Sequence, residues 1–90
     1  MKSEAEWIDE LTQQGFYSLL FRDAESFDHE HDVSFDLDRF IVIFDGEIEI
    51  EIGYQTFHLG AGDYLEIPRA TMHSIRIGNT GSRYLLAQRI

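Results

Sequence analysis

GDYLEIPRATMHSIRIGN, residues 62–79, holds two strands on either side of a proline. Gly62 closes a Gly60-Ala61-Gly62 turn, and DYLEI leaves that turn as a strand. Pro68 has no N–H to give a hydrogen-bond ladder, so the strand ends there. MHSIRI then alternates, which puts His73, Ile75 and Ile77 on one face. A histidine in line with two isoleucines faces a core, and an imidazole there needs partners.

The same period of two extends outward in both directions. Downstream, Asn79-Thr80-Gly81 predicts a turn into the strand RYLLAQRI. Upstream, QTFHL follows a Gly53-Tyr54 turn, and its His58 falls on the solvent side. EIEIEI puts Ile48, Ile50 and Ile52 inward and leaves Glu47, Glu49 and Glu51 wet. Asp45-Gly46 is a strong hairpin signal. RFIVIF is apolar after Arg39, as in a strand covered on both faces. SFDHEH predicts Phe27, His29 and His31 on one face, with Asp28 and Glu30 on the other, and FYSLLF is one more strand. About eight short antiparallel strands at this spacing predict a small all-β sandwich or barrel. Residues 4–14 form a short amphipathic helix with Trp7, Ile8 and Leu11 on one side. Ser3 and Glu6 make its capping box and Gly15 its stop. This helix is expected to cover a barrel mouth or a sheet face, or to pack on a partner subunit. The expected organisation is a helix over 1–15 and a single barrel over 16–90.

Composition narrows the function classes. The chain has 90 residues, a hydrophobic content of 43% and no cysteine. It is therefore globular, without disulfides or thiolate metal sites. A domain this small buries only about 60–65% of its unfolded surface, and an unstapled β domain gains by pairing, so a homodimer is expected. The formal charge is −10. Such a surface repels phosphate backbones and anionic bilayers, so neither nucleic acid nor a membrane is expected as a partner. MKSEAEWIDE is acidic and lacks an apolar stretch, so no secretory signal is read there and a cytoplasmic location is expected.

His29, His31 and His73 are the candidate metal ligands. An H-x-H pair on a strand points both imidazoles at one spot, and a third from a distant strand makes a three-nitrogen set. The ions suited to it are zinc, iron, nickel or manganese. The competing reading is a set of pocket histidines satisfied by protein partners.

At this point the chain resembles the cupins, a superfamily of small jelly-roll β-barrels. Their second motif, G-x5-P-x-G-x2-H-x3-N, is matched by Gly62, Pro68 and His73, with Ala70 in place of its second glycine and Asn79 two positions late. Their first, G-x5-H-x-H-x3–4-E-x6-G, is matched by His29, His31 and Gly46, with Asp23 where the opening glycine belongs. The resemblance covers residues 16–90. It implies a cupin-type barrel, and a metal held by the three histidines and a glutamate. Counted back from Gly46, the glutamate's position holds Arg39. Counted forward from His31, it holds Asp36, because the loop DVSFDLD is longer than usual. The backward count is anchored by strand register and points Arg39 inward with Ile41 and Ile43.

Two functions follow. In one, the histidines hold a divalent metal, Asp36 or water completes its shell, and Arg39 binds an anionic group of a small molecule. In the other, the barrel is a non-catalytic ligand-binding or regulatory module without a tight metal site. The resemblance implies oxygenases, isomerases, epimerases and sugar-binding modules alike, and fold alone does not choose among them.

Overall fold

A computed structural model describes the backbone of all 90 residues and every side chain except those of His31 and Asp32. Over the described residues the elements are a helix α1 (Glu4–Gln13) and strands β1 (Ser18–Ala24), β2 (His29–Val33), β3 (Asp38–Ile52), β4 (Gln55–Leu59), β5 (Tyr64–Ile67) and β6 (His73–Arg89). The strands form one antiparallel sheet in the order β1-β6-β3-β4, with β2 added on β6 and β5 on β3. The sheet curls into a jelly-roll barrel around the long strands β3 and β6.

The helix is set by its ends. Ser3 accepts the Glu6 N–H at 3.1 Å and the Glu6 carboxylate accepts the Ser3 N–H at 3.0 Å, so the capping box is complete. Those bonds hold the Glu6 carboxyl below its ordinary value. At the other end Gly15 takes φ +90. Its N–H reaches the Thr12 carbonyl, and the Phe16 N–H reaches that of Leu11. This is the Schellman pattern, and it carries its usual apolar contact, because Phe16 and Leu11 pack in one cluster.

That cluster is the outer of two cores. Trp7, Leu11 and Phe16 lie over Phe40 and Val42 of β3 and Leu85 and Ala87 of β6. The helix therefore covers a sheet face, one of the three placements expected of it. Arg83 ties it down by bonding Glu4 and Asp23, each at 3.0 Å. The inner core holds Ile41, Ile43, Ile48, Ile50, Ile67, Ile75, Ile77, Tyr84 and Leu86. RFIVIF is thus buried on both faces, as its composition requires.

Two expected turns are absent as turns. Asp45-Gly46 and Asn79-Thr80-Gly81 lie inside the continuous strands β3 and β6. Both halves of β3 pair with β6, so neither strand doubles back at its glycine. Pairing steps from Gly46↔Ser82 to Ile48↔Ile77, which pushes residues 78–81 out as a bulge. Gly46 and Gly81 adopt φ +76 and +75. A Cβ on Gly46 would lie 2.0 Å from the Gly81 carbonyl oxygen. The two glycines let the strands cross at contact distance and bend the sheet. The turns at Gly53-Tyr54 and Gly60–Gly62 and the stop at Pro68 stand as read.

Candidate functional site

Arg39 sits near the start of β3, between Gln88 of β6 and Ile67 of β5. Alternation turns it inward with Ile41 and Ile43, and only 3% of it is exposed. A buried guanidinium needs partners on every side. Its Nη1 donates to Nε2 of His73 at 2.9 Å and to Oε2 of Glu30 at 3.2 Å. Its plane lies over the Phe35 ring, 4.5 Å from the centroid. Its Nε–H is buried without an acceptor among the described residues.

His73 is 2% exposed. Arginine has no acceptor, so Nε2 of His73 takes the bond through its lone pair and the ring proton sits on Nδ1. Nδ1–H donates to the Thr71 carbonyl at 2.9 Å. Both ring nitrogens are therefore engaged, and the Nε2 lone pair that a metal would use already faces a cation.

At His29 and Glu30 the β2 strand presents the opposite face from the one expected. Glu30 pairs across from buried Ile75 and so points inward, to Arg39. His29 pairs across from exposed Arg76 and is itself exposed, with Nδ1 3.4 Å from the Phe27 carbonyl oxygen. The physical cause is the segment before the strand. Phe27 takes φ +64, which turns the chain as β2 begins. The phase there puts Glu30 rather than His29 on the inner face. His31 was the third expected ligand, and its side chain lies outside the described residues.

Asp36 is exposed on the loop and does not line the cavity at Arg39. Its neighbour Asp38 has a structural task. It accepts the Arg69 backbone N–H at 3.0 Å and the Arg89 side chain at 3.2 Å. The Arg69 bond first, then the Arg89 and Arg69 guanidiniums, hold the Asp38 carboxyl below its ordinary value.

A cavity of about 310 Å³ opens beside Arg39. Arg39, Ile75, Ile77 and Tyr84 are its buried walls, and Arg22, Asp23, Asp28 and His29 are exposed at its mouth. The sequence pattern points to Arg39 but not to Glu30, Arg22 or Asp28. The signal available for Glu30 was the need of a buried arginine for a carboxylate. A second cavity, about 340 Å³, lies among Phe27, Ile48, Leu59 and Ile77 and does not touch Arg39.

Three solved structures place this architecture. A cupin superfamily protein from Desulfitobacterium hafniense superposes with a TM-score of 0.69 over 81% of this chain and 78% of its own, at 19% identity. The fold is that of the cupins. A cupin-2 domain protein from Shewanella frigidimarina matches at a TM-score of 0.70, 13% identity, 93% of this chain and 92% of its own. The cupin domain of Schizosaccharomyces pombe Cnp3 matches at 0.74 and 16% identity, over 99% of this chain and 56% of its own. No protein-family profile and no curated protein matches the sequence.

A cupin barrel raises the question of a metal. The described residues do not fit one. Arg39 occupies the His73 lone pair, Glu30 is engaged with the same guanidinium, and His29 faces out. Among the described residues no three His, Asp or Glu side chains are placed to share an ion. A divalent ion at His73 would also sit beside the Arg39 charge, a repulsion on the order of several kcal/mol at roughly 4 Å.

Proposed function

We propose that this cupin barrel is a small-molecule-binding module in which Arg39, rather than a metal, is the centre of the site. The ligand offers an anionic group, a carboxylate in the simplest case, to the guanidinium in the cavity between β1 and β2. The observation that carries this reading is the buried Arg39, bonded to the His73 nitrogen a metal would use and still holding one donor without an acceptor. Arg39 lines the cavity wall, so an anion entering there meets a guanidinium already held in place by His73 and Glu30. Planar guanidinium and carboxylate groups pair through two parallel bonds, so the geometry selects as well as attracts. A homodimer belongs to the same proposal. β1 ends the sheet path, and a second copy is a simple cover for such an edge.

Calorimetric titration with acetate, butanoate and hexanoate tests the reading. Wild type is expected to bind at least one of them, and Arg39→Met to weaken that binding about tenfold or more. Arg39→Lys keeps the charge but loses the fork, so its affinity falls between the two. Circular dichroism checks that the variants are folded. Equal binding by wild type and Arg39→Met would overturn the proposal.

A further inference from the structure

We infer that the cavity at Arg39 selects a small zwitterion, a molecule with a carboxylate at one end and an ammonium at the other. The inference rests on the anion-binding reading above and adds the chemistry of the ligand's second end.

The cavity is not uniformly positive. Two guanidiniums line it, those of Arg22 and Arg39, along with three carboxylates, those of Asp23, Asp28 and Glu30. The one deep charge is that of Arg39, and the mouth carries both signs. Arg39 is buried, whereas Arg22, Asp23 and Asp28 are exposed at the mouth and Glu30 is half-buried. Asp23 shares its carboxylate with Arg83 and Glu30 shares its own with Arg39, at 3.0 and 3.2 Å. A carboxylate entering alone passes Asp28 and settles close to Glu30, in a chain whose formal charge is −10. A dicarboxylate meets the same repulsion twice. A simple amine is drawn to Asp28 but has no counterpart for the buried guanidinium. A zwitterion crosses the mouth as a neutral molecule. Its carboxylate meets the Arg39 guanidinium where that lines the cavity, and its ammonium stays beside Asp28 at the mouth. Ile75, Ile77 and Tyr84 give the connecting methylenes an apolar wall. A volume of about 310 Å³ is at the small end for ligand pockets, consistent with a compact linear molecule.

The experiment is calorimetric titration of the full chain with matched pairs. Glycine, 4-aminobutanoate and 6-aminohexanoate are compared with acetate, butanoate and hexanoate, and succinate and butylamine serve as single-sign controls. The expected result is that one ω-amino acid binds about threefold to tenfold tighter than its matching monocarboxylate, the scale of one partly exposed charge pair. Asp28→Asn should bring that pair level, and succinate should bind more weakly than either member. If monocarboxylates bind through Arg39 but no ω-amino acid binds tighter, the zwitterion inference fails and the anion reading stands. If butylamine binds as tightly as the best ω-amino acid, or if no acid binds at all, both fail.

Discussion

The two faces of β3 are built to opposite rules. Outward, Phe40 and Val42 lie under Trp7, Leu11 and Phe16 in a dry layer where shape decides the packing. Phe40 meets Phe16 edge-on at 5.6 Å and stacks on Tyr64 at 5.7 Å. Inward, Ile41 and Ile43 continue an apolar core, but two residues before Ile41 stands a buried cation, Arg39, whose hydrogen bonding is incomplete. The outer face is apolar except for the Trp7 indole N–H, which is itself buried without an acceptor among the described residues. The inner end keeps a group that loses by leaving water unless a partner arrives. On the proposed reading, cohesion sits in the helix-covered layer and binding chemistry at Arg39.

Substitutions separate the two faces in order of size. Gly46→Ala breaks both at once, because the new methyl would meet the Gly81 carbonyl at a backbone already at φ +76. No cooperative thermal transition is expected for it. Leu11→Ala removes a fully buried side chain from the outer layer. It should cost about 3 kcal/mol in urea unfolding while leaving ligand affinity of the folded fraction unchanged. A shift in that affinity would mean that the layers are coupled. Asp38→Asn probes the join between them, since Asp38 lies at the start of β3 and holds Arg69 and Arg89. Its carboxyl is held below 3.8, the ordinary value. The stability it contributes is present above that value and is lost as pH falls through the lowered one. Wild type should therefore lose stability faster than Asp38→Asn below about pH 4. Parallel acid-unfolding curves would show that Asp38 contributes nothing to that loss.

Much of the outer layer was legible in the sequence because its signals are local. Ser3, Glu6 and Gly15 set the helix within a few residues of themselves, and the apolar run from Phe40 announces two covered faces. The count of strands was less legible. Asp45-Gly46 has the chemistry of a hairpin, and only the pairing of both halves of β3 with one long β6 turns it into a bend. At the site, Pro68 and His73 followed from their own strands, and Arg39 from register. The partner of Arg39 did not. The phase of β2 depends on the backbone at Phe27, a residue type that gives no warning of positive φ. That phase exchanges His29 for Glu30 on the inner face and brings the Glu30 carboxylate to the Arg39 guanidinium. His58, Glu47, Glu49 and Glu51 lie on the wet side as alternation requires.

The most direct test of Arg39 as the centre of the site is metal uptake by Arg39→Glu beside wild type. Both would be purified without a histidine tag, loaded with zinc, dialysed and assayed by elemental analysis. The substitution frees Nε2 of His73 and adds a carboxylate near Glu30, a donor set suited to zinc. Near-stoichiometric zinc in Arg39→Glu and little in wild type is the expected result. Stoichiometric zinc in wild type, lost in His73→Ala, would contradict it and return the site to a histidine-bound metal.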